Sequence, residues 1–256
     1  SLGNMRMITD PFFYMVAIPA VIFFGMAKGG MGAAFGLISV PLMALAVPPI
    51  QAAAILLPAL LVMDVVAVKS FWREWDHVNL RLTLPGAMLG ILVGTFTFRY
   101  LNDDAIRLML GLIVLLFIAN YLLNKNLNPK PATPWRGAWW GGIAGFTSFG
   151  IHSGGPPMSI FVLPQRLEKR RRMATFAFFF AVVNIVKVVP YTALGQFTHN
   201  NLMTSLVLLP LAPIGVLIGV WLLNRIREEW IYRLSYFGLA LLGIKLTYDG
   251  LVGLLG

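Results

Sequence analysis

The chain has no cysteine. Disulfides, thiolate metal sites and thiol catalysis are therefore excluded. Its three histidines, His77, His152 and His199, show no metal-binding spacing, so no metal and no cofactor is expected. Charge is scarce: 12% of residues are charged against 58% hydrophobic, with 10 acidic residues against 20 Lys and Arg. At a mean hydropathy of +0.79, no soluble domain of this size could hide so much apolar surface. Apolar-polar alternation is also missing. The runs Ala52 to Val68, Leu84 to Phe98 and Leu202 to Leu223 are continuous and approach the ~20 residues that cross a ~30 Å hydrocarbon core, which excludes a membrane barrel. An all-α integral membrane protein follows.

The net charge of +10 would suggest nucleic acid in a soluble protein. Here Lys and Arg gather at the ends of apolar runs, where they orient a protein in the bilayer. The lipid bilayer is thus an expected partner and nucleic acid is not.

Within this apolar chain, Gly25-Met-Ala-Lys28-Gly29-Gly30-Met-Gly32 strands a lysine among glycines. Gly150-Ile-His152-Ser153-Gly154-Gly155-Pro156-Pro157 repeats the pattern Gly-x-x-x-Gly-Gly 125 residues later. The same offset relates Pro85, Gly90 and Gly94 to Pro210, Gly215 and Gly219, and Asp103-Asp104 to Glu228-Glu229. Four separated features at one offset mark an internal duplication, which in transporters places the site at the repeat interface near mid-membrane.

Taken in order, residues 1–10 form a tail, of which Ser1 to Asn4 read as residues added ahead of a native start at Met5 or Met7. The first repeat spans 11–123, a Pro-rich linker 124–135, and the second repeat 136–256. Phe12 to Ala46 would measure about 52 Å as one straight helix, too long for one crossing. Its pieces, Phe12 to Ala27 and Ala33 to Ala46, would reach only about 21 to 24 Å each. A hairpin with its tip at the glycines fits. Val47-Pro48-Pro49 ends it. Spans are then expected at Ile50 to Lys69, Leu82 to Tyr100 and Ala105 to Leu123. Between the first two lies a polar linker, Ser70 to Arg81, with Trp72 and Trp75 suited to an interfacial belt. Gly86, Gly90 and Gly94 form a small-x-x-x-small ladder for close helix packing. The second repeat begins with its own hairpin, Trp135 to Phe149, which meets the Gly150 to Pro157 junction and continues to Leu163. Spans follow at Ala174 to Leu194, Leu202 to Leu223 and Ile231 to Leu251.

Direction follows from charge. If each copy holds a hairpin and three crossings, the second copy is inverted, and four linkers share one side. They carry Lys69, Arg73, Arg81, Lys125, Lys130, Arg136, Arg166, Lys169 to Arg172, Arg225, Arg227 and Arg233, leaving only Arg6, Arg99 and Arg107 opposite. A parallel arrangement divides these cations much more evenly. Inversion therefore puts the basic linkers in the cytoplasm, both termini outside, and the hairpin tips together at mid-membrane.

Broken helices at membrane depth need protein or water to satisfy their freed backbone groups, so each junction implies a buried polar cavity. Helices restarting after Gly32 and Gly155 would aim N–H groups and positive dipole ends into it, a ready anion site. The expected substrate-binding set is Lys28, Gly29, Gly30, Gly32, His152, Ser153, Gly154 and Gly155. Asp64 and Lys187 lie at near-equivalent depth in the two copies and form a candidate charge pair or ion-coupling group, for a proton or sodium. Asn184, Tyr191, Gln51 and Lys245 are explained as readily by contacts between helices. Two other readings stand beside a transporter. One is an anion channel using the same site. The other is an intramembrane hydrolase, against which Gly-x-Ser-x-Gly spacing fails and adjacent His and Ser rarely face each other.

With these duplicated glycine pairs and proline-glycine ladders across about 250 apolar residues, the chain resembles the sulfite exporter TauE/SafE family of membrane permeases. The family's glycine-rich signature looks like Gly25 to Gly32 and Gly150 to Gly155, with Pro156-Pro157 standing where a further glycine is usual. The resemblance implies a secondary transporter of a small sulfur-containing anion, such as sulfite or an organosulfonate, in the inner membrane, and no enzyme.

Overall fold

The computed structural model describes residues 7–124, 128–223 and 225–256. Ser1 to Asn4, Met5, Arg6, Lys125 and Asn224 lie outside the described residues. Eleven α-helices are present among those described, with no strand: α1 Pro11–Met26, α2 Ala33–Met43, α3 Pro49–Ser70, α4 His77–Tyr100, α5 Asp103–Leu123, α6 Pro134–Ile151, α7 Gly155–Val162, α8 Lys169–Ala193, α9 His199–Leu208, α10 Leu211–Leu223 and α11 Glu228–Leu255. Among the described residues, seven segments are long and apolar enough to cross a membrane, beginning with Pro11–Gly30 and ending with Arg233–Leu255.

Short polar residues in the connections start the helices. Asp10, Asp76, Asn102, Thr133, Glu168 and Thr198 each accept a hydrogen bond from a first-turn N–H of the helix that follows. Two starts therefore fall earlier than apolarity alone indicates. Asp76 begins α4 at His77 rather than Leu82, so half of the expected polar linker is helical. Glu168 draws Lys169 to Arg172 into the first turn of α8. The expected single span Leu202 to Leu223 is interrupted at Leu209–Pro210, whereas Pro85 lies inside an unbroken α4.

The first hairpin folds α2 back along α1, with Ser39 Oγ donating to the Ala20 carbonyl at 2.7 Å. The second folds α7 back along α6: Lys130 N–H donates to the Pro164 carbonyl at 3.1 Å, and the Arg136 guanidinium lies over the Phe161 ring. This second hairpin opens at the end of the bundle that carries Arg170–Glu74 and Arg171–Asp76 ion pairs. The first opens at the other end, where Ile8 N–H donates to Thr204 Oγ1. Both tips lie between the two ends.

Glycine seams hold each hairpin to the opposite half. A Cβ on Gly90 would lie 2.1 Å from the Gly142 carbonyl oxygen, and Gly94 faces Phe149, so α4 and α6 run parallel in backbone contact. Gly215 and Gly219 of α10 meet Ile22 to Met26 of α1 in the same manner. By contrast α5 and α11 run antiparallel, with Gly111 against Thr247 and Gly250 against Leu108. α3 and α8 are antiparallel too. At the heart of the molecule lies α3, whose Ile55, Leu56, Leu57, Leu60 and Met63 are among the most deeply buried side chains.

Candidate functional site

The two junctions break by different means. In the first, α1 passes into a π-helical turn, Ala27–Met31, which ends as Gly30 takes φ 120° and Gly32 φ 97°. Both angles lie where side-chain-bearing residues are strained, so these two glycines turn the chain. Gly25 and Gly29 do not. Their missing side chains admit the α10 backbone, with Gly29 facing the Val216 carbonyl oxygen at 2.5 Å from an ideal Cβ. In the second junction the break falls at His152, which adopts a left-handed conformation at φ 55°. Its backbone N–H still caps α6 on the Ser148 carbonyl at 2.9 Å. α7 restarts at Gly155.

A cavity of about 420 Å³ lies between the tips, lined by Lys28, Gly30, Gly32, Ser148, His152, Ser153, Gly155 and Asn184. Phe24 and Phe180 give it aromatic walls, and its mouth carries Lys169 and Arg172 at the basic end of the bundle. Six of the eight expected substrate-binding residues face this space. Gly29 is packed against α10, and Gly154 fits beneath Phe180, so neither lines it.

Lys28 is not free. Its Nζ lies 2.6 Å from Asp64 Oδ1, with the Phe180 ring centroid 5.0 Å away. Asn184 Nδ2 donates to Asp64 Oδ2 at 2.6 Å, and Asp64 is only 2% exposed. The expected Asp64–Lys187 pair is not made. Lys187, fully buried, donates instead to the Ser148 carbonyl at 2.9 Å, to Ser148 Oγ at 3.0 Å and to His152 Nδ1 at 2.7 Å. Those three acceptors match the three N–H groups of an ammonium. The reason is depth: Asp64 and Lys187 occupy facing antiparallel helices, but Asn184 sits one turn closer to Asp64, and Lys28 reaches it from the π turn.

His152 is held on both sides. Its Nε2 lies 2.7 Å from the Ala53 carbonyl, which can only accept, so Nε2 carries the proton and Nδ1 receives Lys187. Among the described residues, Ser153 Oγ has no hydrogen-bond partner, although Ser153 is 1% exposed. Beside it, the Gly155 N–H has no partner among the described residues. Pro156 and Pro157 contribute no N–H, so the donors offered by the α7 terminus are fewer than a helix restart alone implies. The cavity wall thus presents one ammonium, Lys28, paired from behind by Asp64, together with the Ser153 hydroxyl and the Gly155 amide. Among the described residues His152 pairs with no serine hydroxyl, its ring being spent on Lys187 and Ala53.

The sequence pattern overlooked Ser148, which lies one turn before His152 on the same face of α6, and that i, i+4 spacing was available to find it. Asn184 and Lys187, three apart on α8, share a face likewise. Of the other polar residues, Tyr191 donates to the Phe149 carbonyl, Gln51 pairs with Asn201, and Lys245 pairs with Asp249 one turn on.

No curated protein and no solved structure matches the chain. A family model described as "Sulfite exporter TauE/SafE" matches residues 17–246, an interval that holds both hairpin tips, the cavity between them and every crossing but the start of the first and the end of the last. A multi-pass helical membrane protein with a polar cavity between two broken hairpins, matched over nearly its whole length, belongs to the sulfite exporter TauE/SafE family of membrane permeases.

Proposed function

We propose that this permease moves a small sulfur-containing anion, such as sulfite or an organosulfonate, across the cytoplasmic membrane by alternating access of the cavity between its hairpins. The observation that carries the reading is Ser153 Oγ, buried, unpartnered and facing a cavity shared with Lys28. A buried hydroxyl without a partner is costly in an empty protein and becomes satisfied when an oxyanion arrives.

The cavity residues run from the tips to one end of the bundle only, with Phe71, Lys169, Arg172 and Met173 at the mouth. An access route on one side supports a carrier over a channel. Inversion of two halves, 11–123 and 136–256, is supported by the antiparallel courses of α5 against α11 and α3 against α8, each pair being equivalent at the 125-residue offset. On that reading the basic mouth is cytoplasmic and both ends of the chain are outside. Binding the substrate are Lys28, Ser153 and Gly155, with Gly30 and Gly32 shaping the first tip and His152 holding the second.

Reconstitution tests this. Proteoliposomes should accumulate labelled sulfite, thiosulfate, sulfoacetate, isethionate or taurine saturably and against a gradient. Flux that never exceeds equilibration would establish a channel; flux of none of these would remove the sulfur-anion assignment. Single cysteines in the 124–135 linker should label from the cytoplasm, and periplasmic labelling would overturn the orientation.

A further inference from the structure

Lys28 lines the cavity, whereas its partner Asp64 does not. The carboxylate sits behind the ammonium, 2% exposed, and is held on its second oxygen by Asn184. In the empty protein the one cationic side chain at the tip of the first hairpin is therefore already neutralised. An entering anion gains the full charge of Lys28 only by drawing it away from Asp64.

We propose that Asp64 and the transported anion compete for Lys28, and that a proton from the cavity water takes the place of Lys28 on Asp64 when the anion binds. This inference rests on the anion-site reading above and adds the coupling ion to it. Charge balance gives the reason. Without Lys28, Asp64 would be a buried carboxylate with only a neutral amide as partner, which a protein interior tolerates poorly. Asn184 Nδ2 remains on Oδ2 whether the acid is ionised or neutral.

The titratable groups facing Asp64 are few. Lys28 approaches from the π turn and Lys187 from α8, with His152 beyond it on α6. Lys187 cannot substitute for Lys28, because Ser148 and His152 occupy all three of its N–H groups. Among the described residues no other ionisable side chain pairs with Asp64. The exchange moves one proton onto one carboxylate oxygen, forms no covalent bond to the substrate and needs no sodium ion.

Linkage fixes the sign. Protonating Asp64 frees Lys28, so anion affinity should rise as pH falls, by up to about tenfold per pH unit for a single linked proton. Isothermal titration of purified wild-type protein with isethionate and with thiosulfate, which stay ionised between about pH 5.5 and 8, reads this directly when repeated in buffers of different ionisation enthalpy. The expected result is close to one proton taken up per anion bound. Asp64→Asn should bind the same anions more tightly, without proton uptake and without pH dependence. Anion binding with no proton uptake by the wild type overturns the inference and leaves the anion site standing, as does uptake that persists in Asp64→Asn. Failure of folded wild-type protein to bind either anion overturns the site and the inference together. Should Asp64→Asn not fold, the wild-type proton count decides alone.

Discussion

The two hairpin tips occupy equivalent places in the chain and do different chemistry. Lys28 and Ser153 are separated by the repeat offset of 125 residues, so one position holds a long cation in the first copy and a short hydroxyl in the second. Behind each tip stands an ionisable residue of a neighbouring long helix, Asp64 in α3 and Lys187 in α8, of opposite sign. The first tip carries a charge that is already paired and must exchange partners to act. The second carries fixed donors, with His152 clamped between Lys187 and Ala53 and Ser153 left open. On the proposed duplication, the two halves place a hairpin alike but break it by different backbone means, and the substrate chemistry we propose lies in the positions where they disagree.

The largest expected effect comes from breaking the exchangeable tip. Lys28→Ala strands Asp64 without its cation and should cost about 3–5 kcal/mol of stability. Adding Asp64→Asn should restore much of that loss, seen as recovery of Tm in the double variant. Additive losses would mean that the pair is not a unit.

The seams come next, because they are the feature the two halves share. Gly90→Ala and Gly219→Ala each push a methyl into a facing backbone, at 2.1 Å from the Gly142 carbonyl oxygen and 2.6 Å from Met26 atoms. Each should destabilise by about 1–3 kcal/mol. Thermal unfolding that spares one and not the other would show that the hairpins are not held alike.

Ser153→Ala sharpens the comparison in the opposite direction. Removing an unpartnered buried hydroxyl should leave the stability of the empty protein unchanged or raise it by about 1 kcal/mol. Anion affinity should nevertheless fall at least about tenfold, equivalent to roughly 1.4 kcal/mol. A clear loss of Tm in the empty variant would mean that Ser153 is already satisfied by the protein.

The smallest effect belongs to the rim. Arg170 hydrogen-bonds Glu74 and holds its carboxyl below the usual carboxylate range. The sign is that of a depressed acid: the pair's stabilisation is present above the ordinary carboxylate pKa and fades as pH falls through the lowered one. Glu74→Gln should flatten that acid limb only slightly, since the pair is exposed and screened.

Much of this architecture was legible in the sequence because its causes are local. Continuous apolar runs and prolines placed the helices, and glycine pairs at one offset placed both hairpins. The small-residue ladder is legible too: Gly86, Gly90 and Gly94 read as a packing stripe, and they pack against α6. What escaped was tertiary choice. Nothing in the spacing of Lys28 says that it will reach across to α3, because the π turn that rotates it is a compromise with α10 packing against Gly25 and Gly29. Near-equivalent depth in the two halves offers Lys187 to Asp64 as a candidate partner, whereas Asn184, one turn away on the same face of α8, sits closer. Gly29 shows the same tertiary choice: of the Gly29–Gly30 pair, Gly30 makes the turn and Gly29 the contact with α10. The open hydroxyl of Ser153 becomes visible only once every neighbouring acceptor has been assigned a donor.

The most direct test of the account is a binding titration of the best sulfur anion from the transport panel against wild type, Lys28→Ala and Ser153→Ala, each with its Tm measured without ligand. The account predicts that both variants bind at least about tenfold more weakly, that Lys28→Ala is destabilised when empty, and that Ser153→Ala is not. Wild-type affinity in both variants would contradict it.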